Sequence, residues 1–203
     1  MGDVCQQCGN EYQRIGHHWS QSTCSFPPLS NFQHDVLVGS LMGDGTLDVQ
    51  NGRNPRITIA VQEKKYIQLL SSLLGIMSGD VYKSNGLWWL STRQTPELCM
   101  YNTWYLRGEK EWPNSIELTP TVLRHLYCQD GSRQNKIARV CTKNEQSNRE
   151  KVNKIITNVG LPRPVWDCDQ FRWSVEDSKT VFEYMRKTCP GYEYKWPEQY
   201  RQS

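Results

Sequence analysis

No stretch of this 203-residue sequence comes near the roughly 20 consecutive apolar residues that a bilayer-spanning helix needs. The opening residues MGDVCQQCGN also lack the apolar core of a secretory signal. The expectation is a soluble, intracellular protein, whatever its compartment. Charge of one sign is scarce too: 24 Lys and Arg stand against 21 Asp and Glu, a net of +3. Such a mild excess suits a polyanionic partner only where the cations cluster. A disulfide framework is missing as well. Of the eight cysteines, Cys99, Cys128, Cys141, Cys168 and Cys189 are scattered, whereas the other three crowd the N-terminus. In a reducing compartment such a crowd reads as metal ligands. What the chain does have is 37% hydrophobic residues, enough for one or two compact domains with a real core and for an enzyme.

The crowded segment is CQQCGNEYQRIGHHWSQSTC. Cys5 and Cys8 form a CxxC knuckle followed by Gly9, and His18 and Cys24 complete a Cys3His set suited to tetrahedral zinc, with His17 the rival ligand. All four positions are filled by protein, so the expected zinc is structural. So short a segment has little core of its own and would draw its folding energy from the metal. The stretch SFPPLS then makes a stiff linker, which sets residues 1–29 apart.

The rest of the chain repeats itself. Ser30 and Gln33 have capping-box spacing and open a helix through NFQHDVLVGSLMG, which runs into Asp44 between Gly43 and Gly45. Thr119 and Pro120 open a second helix through TVLRHLYCQ, ending in Asp130 and Gly131. The aspartates lie 86 residues apart, Lys110 and Lys195 lie 85 apart, and Pro113 and Pro197 lie 84 apart, as do Trp89 and Trp173. Landmarks that keep one order and nearly one spacing mark a repeat. Each half reads as helix, strand pair, helix, strand pair, helix. The expected fold is therefore α+β: two pseudo-symmetric α-β-β-α-β-β-α units, residues 30–115 and 116–203, behind the small N-terminal module.

GSLMGDG at residues 39–45 and LYCQDGS at 126–132, each followed by a basic strand pair, a helix and a later KxWP or KWP element, resemble the paired signature helices of a single-chain LAGLIDADG homing endonuclease. The resemblance spans roughly residues 30–197. It departs from the family where small residues pack the two helices: the first copy has Gly39 and Gly43, the second His125 and Gln129.

Two such helices side by side bring Asp44 and Asp130 together at the negative ends of both helix dipoles, an arrangement that is costly without cations. The resemblance implies two or more Mg2+ ions there, held by Asp44, Asp130 and the main-chain carbonyls of Gly43 and Gln129. Magnesium favours few carboxylates and leaves room for water and phosphate oxygens. Lys110 and Lys195 are then expected to stabilise phosphate charge or polarise the attacking water, and Gln62 to help order it, with Lys143 as its rough counterpart. The implied reaction is hydrolysis of both strands of a long double-stranded DNA target, leaving 3′ overhangs, by a monomer that works as a pseudo-dimer.

DNA contacts are expected from the strands. In PRITIAVQ, Ile57, Ile59 and Val61 alternate with Arg56, Thr58 and Gln62, a half-buried strand with a polar outer face. Arg133, Lys136, Arg139 and Lys143 give the second half a more basic version, and Arg53, Lys83 and Arg172 join the expected DNA-binding set. Two other readings share the fold, an RNA maturase that helps an intron splice and a DNA-binding regulator that does not cleave.

Overall fold

The computed structural model describes residues 2–21, 24–49, 53–105 and 109–201, with the backbone alone at 20, 21, 143 and 144. It begins with the small module. Strands β1 (Asp3–Val4) and β2 (Glu11–Tyr12) pair antiparallel, and helix α1 (Ile15–Gln21) follows. Among the described residues, Cys5, Ile15 and Trp19 are the buried core of this module, with Tyr12, Cys24, Phe26 and, from the next domain, Ile76 packed against them. Arg93 fastens this contact, its guanidinium donating to the Asp3 carboxylate and, at 2.8 Å, to the Ile76 carbonyl. Three buried side chains are too few to order such a segment unaided.

The first half runs through α2 (Asn31–Met42), β3 (Thr46–Asp48), β4 (Arg56–Val61), α3 (Lys64–Leu74), β5 (Ser78–Ser84) and β6 (Leu87–Thr92). The second runs through α4 (Pro120–Asp130), β7 (Gly131–Gln134), β8 (Ile137–Cys141), α5 (Arg149–Thr157), β9 (Val165–Asp167), β10 (Gln170–Arg172) and α6 (Val175–Met185). The antiparallel sheets have matching orders, β3-β4-β6-β5 and β7-β8-β10-β9. The repeat inferred from spacing is thus a repeat of topology. Both caps form as the sequence implies: Ser30 and Gln33 bond reciprocally, and Thr119 Oγ1 accepts from Val122 N with Pro120 in the first turn.

One element differs from expectation. The segment Pro96–Trp104 is a 3-10 helix, not the α-helix that would match α6. Its buried side chains, Leu98, Tyr101 and Trp104, recur every third residue, which a three-residue turn stacks on one face. In α6 the buried set Ser178, Val181, Phe182 and Met185 follows the α-helical period instead.

One hydrophobic core joins both halves through the α2–α4 seam. The helices approach closely because α2 offers glycine where α4 offers bulk. A Cβ at Gly39 would lie 2.5 Å from the Val122 carbonyl oxygen and 2.8 Å from His125 Cβ, and one at Gly43 would lie 2.8 Å from Gln129 Oε1. The departure at His125 and Gln129 is accommodated by small-against-large packing. At the N-terminal end of the seam, Thr119 Oγ1 donates to Asp35 Oδ2 at 2.7 Å.

Candidate functional site

The last turn of α2 closes unusually. Gly45 N donates to the Ser40 carbonyl at 2.7 Å, reaching back five residues, so the Asp44 N–H is left for another acceptor. That acceptor is Gln129 Oε1 on α4, at 2.7 Å. Helix α4 ends on Asp130 itself, with Gly131 N bonded to the Tyr127 carbonyl. The two carboxylates therefore meet at the same end of the seam, where both line a cleft of about 310 Å3 shared with Gly43, Lys110, Trp112, Thr142 and Glu145.

The two aspartates and the two lysines beside them are all pushed toward neutrality. Burial and the neighbouring Asp44 carboxylate raise Asp130 to about 7. Asp44 reaches solvent on one side, and its buried side still raises it against the pull of Lys110 and Lys195. Burial lowers both lysines in turn, against the attraction of the same aspartates. Desolvation thus outweighs the attraction between fixed charges. A further cation would relieve both carboxylates at once.

The lysines sit over the helix ends. Lys110 Nζ donates to the carbonyls of Gly43 at 2.5 Å and Gly45 at 3.1 Å, and Lys195 Nζ to those of Cys128 at 2.6 Å and Gln129 at 3.4 Å. Each lysine caps the signature helix of its own half, the position where a cation complements the dipole. Lys195 is 8% exposed and lies over the Tyr192 ring. The carbonyls of Gly43 and Gln129, expected to face metal, thus already accept from ammonium groups, and each keeps a second lone pair.

Gln62 follows β4 directly and is exposed, outside the residues lining the cleft. Strand pairing aligns Thr46–Thr58 with Ser132–Arg139, which makes Lys143 its register counterpart, although the Lys143 side chain lies outside the described part of the structure. Glu145 was not foreseen. It is 1% exposed, lines the cleft, accepts Trp112 N at 2.6 Å and pairs with Lys151 at 2.7 Å, so it pins the Lys110 segment of one half to the other. A lone glutamate in a polar stretch carries no sequence signal for this; the signal exists only once β8 and the Trp112 segment are adjacent.

The outer sheet faces sort the expected DNA-binding residues. In the first half, Arg56 and Thr58 alternate with buried Ile57 and Ile59, as the sequence implies. Arg56 pairs with Asp48 across the strands at 2.8 Å, and Thr58 Oγ1 meets Ser91 Oγ at 3.0 Å. In the second half the same register places Arg139 directly opposite Arg172. The Nε of each arginine is buried and has no hydrogen-bond partner among the described residues. Like charges facing each other across a strand pair are destabilising unless something anionic lies between them. Lys136 occupies the β7–β8 hairpin turn, and Arg53 is exposed just before β4. Two expected members are corrected by the pleat. Arg133 pairs with buried Ala138, and Lys83 with Trp88, so both leave their strands on the helix-facing side. Arg133 is spent on the carbonyls of Asn135 and Tyr194, while Lys83 lies 5.7 Å from the Trp88 ring.

At the N-terminus the ligand atoms of Cys5, Cys8, His18 and Cys24 lie within 4.8 Å of one another. His18 thus joins the cluster in preference to His17. Backbone N–H groups of Cys8, the largest influence, and of Gln7 outweigh burial and bring the Cys5 thiol down to about 6, favouring the thiolate that a metal binds. Tyr12 stacks on His18 with ring centroids 3.8 Å apart and fixes the imidazole plane.

Among the described residues, no helix is long and apolar enough to cross a membrane. No curated protein sequence matches this chain significantly. Solved structures match the fold. A homing endonuclease I-WcaI, bound to its DNA recognition sequence, superposes with a TM-score of 0.74 at 14% identity, over 95% of this chain and 96% of that one. I-DmoI in complex with DNA and Ca gives 0.52 at 18% identity, over 76% and 89%, and I-SmaMI bound to an uncleaved DNA target with calcium gives 0.51 at 12%, over 82% and 88%. The sequence pattern of a family described as the LAGLIDADG DNA endonuclease family matches residues 34–161, well over half of the chain and across both signature helices. With the paired aspartates at the seam and the matched sheets on the page, this chain belongs to the LAGLIDADG DNA endonuclease family.

Proposed function

We propose that this protein is a site-specific endonuclease that binds a long double-stranded DNA target as a monomer and hydrolyses both strands with divalent metal, Mg2+ by preference, leaving 3′ overhangs. The observation that carries the reading is the junction of Asp44 and Asp130 in one cleft at the ends of two packed helices. The donor set fits a hard cation: all its candidate ligands are oxygens, and the carboxylates are under-compensated without one. When bound, such metal ions supply an activated water and neutralise charge on the scissile phosphate.

The residues of the chain do the rest. Asp44, Asp130 and the carbonyls of Gly43 and Gln129 hold the ions. Lys110 and Lys195, buried over the helix ends, offer ammonium groups to a phosphate entering the cleft. Gln62, just beyond β4, orients the water when DNA covers the site. On the outer faces, Arg56 and Thr58 in one half and Arg139 and Arg172 in the other contact the major groove, with Arg53, Lys136 and Lys143 toward the backbone. The unpaired Nε atoms of Arg139 and Arg172 support this, since an anionic or acceptor-rich partner satisfies both.

Cys5, Cys8, His18 and Cys24 hold a structural zinc ion, a closed set with no position for substrate. The Asp3–Arg93 and Ile76 contacts make the module a brace on the outer end of β5 and β6.

Selection of cleaved sites from a random duplex library in Mg2+ tests the proposal directly. Recovery of one long, non-palindromic consensus is expected; protein that binds such a site and never cuts it would instead favour a regulator.

A further inference from the structure

From the seam we infer that Tyr66 and His125 are positioning residues for Asp44, acting through Gln129. The inference rests on the endonuclease reading above and deepens it.

The Asp44 N–H donates to Gln129 Oε1 at 2.7 Å because the last turn of α2 leaves it without an acceptor of its own. This fixes the amide orientation of Gln129, so Nε2 must donate, and it does so to Tyr66 Oη on α3 at 3.2 Å. Tyr66 Oη in turn is hydrogen-bonded to His125, 2.9 Å from Nδ1 and 3.5 Å from the carbonyl oxygen. Burial keeps His125 neutral. Tyr66 and His125 are both fully buried, and Tyr66 is wedged edge-on against Tyr192. The chain of bonds runs from the middle of the seam to the backbone of one catalytic aspartate.

The device is one-sided. The helical counterpart of Gln129 is Gly43, which has no side chain to offer, and Asp130 is placed by α4 itself. The small residues of the first signature helix leave room for His125 and Gln129, and this asymmetry is used to hold Asp44 in place. Breaking the chain should therefore disturb the Asp44 half of the site and spare the Asp130 half.

The test compares wild type with Tyr66→Phe, His125→Leu, His125→Asn and Asp44→Asn. In metal-free, DNA-free protein, amide hydrogen exchange at Asp44 is followed by NMR; loss of the buried hydrogen bond in Tyr66→Phe should speed it about tenfold, with the Asp130 amide unchanged. On a nick-resolved duplex substrate, Tyr66→Phe should slow one strand about tenfold, raise the Mg2+ needed for that strand and let nicked DNA accumulate. His125→Leu should behave likewise. His125→Asn, whose amide can bond the Tyr66 hydroxyl near the Nδ1 position, should restore both readouts. Unchanged Asp44 exchange with both strands cut in wild-type ratio overturns the inference, and so does equal slowing of both strands, the mark of general destabilisation. Asp44→Asn separates the two levels: if it cuts normally the placing of the active site at Asp44 and Asp130 is wrong, whereas a dead Asp44→Asn beside a wild-type-like Tyr66→Phe removes only the positioning role.

Discussion

At one register position of the two outer sheets, the first half carries Thr58 opposite Ser91 and the second half Arg139 opposite Arg172. The hydroxyl pair satisfies itself at 3.0 Å, whereas the arginines have Nε atoms with no partner. A fold duplicated in topology has thus become specialised in surface chemistry. At this position the first half satisfies its own polar groups, and the second leaves two buried Nε atoms without a partner among the described residues. The seam repeats the lesson with glycines on α2 facing His125 and Gln129 on α4.

The largest effect expected is at the position where the halves are still alike. Asp44→Asn and Asp130→Asn should each lower double-strand cutting by about 10²–10³-fold or more while retaining DNA binding in calcium, measured by cleavage and gel shift. A half that tolerated the change would show that the cleft is not shared. Next comes the outer-face difference. Replacing Arg139 by Thr and Arg172 by Ser, which gives the second half the chemistry of the first, should weaken DNA binding about tenfold or more and relax specificity at the base pairs they face. The slope of log affinity against log salt should also fall by about one for each phosphate contact removed. An unchanged salt slope would return these arginines to packing. In the seam, Gly39→Ala forces a Cβ against the Val122 backbone carbonyl and should cost about 1–3 kcal/mol in urea unfolding.

A pH effect follows from His125. Its buried ring is held neutral, with its pKa pushed from the ordinary 6.5 to about 3, mainly by burial. The unfolded chain binds that proton more readily, so the His125 contribution is intact above about pH 6.5 and is lost as pH falls toward 3. The slope approaches about 1.4 kcal/mol per pH unit. Thermal unfolding between pH 7 and 4 should be flatter in His125→Asn than in wild type. The smallest effect on the catalytic core is expected from the appended module: Cys8→Ser or chelation should expose residues 2–21 to hydrogen exchange while leaving α4 to α6 protected. Equal loss in both halves would contradict a brace confined to the first.

The large features were legible because each rests on a local rule. Capping at Ser30 and Thr119, alternation in β4 and the recurrence of Asp44 and Lys110 at Asp130 and Lys195 all survive in the structure. Trp89 and Trp173 do not share a register position, because Ser91 matches Arg172 and Trp89 therefore matches Gln170. The 3-10 segment is readable too, since Leu98, Tyr101 and Trp104 stand three apart, although symmetry with α6 points to an α-helix there. Arg133 and Lys83 were misplaced by composition. They are basic residues in the right strands, and only the pairing partner reveals which face they leave from. Glu145 and Tyr66 were illegible in principle, because their partners lie 33 and 63 residues away in sequence and belong to the opposite half.

The Glu145 contact has a consequence for any attempt to trade parts between such proteins. Its carboxylate takes the Trp112 N–H, and Lys151 reaches the Trp112 carbonyl at 2.9 Å, so the loop that delivers Lys110 is supported by its neighbour as well as by the repeat that encodes it. A chimera built by cutting near residue 115 would inherit the lysine and lose the part of its scaffold that Glu145 and Lys151 supply. Exchangeable modules would have to carry that borrowed support with them.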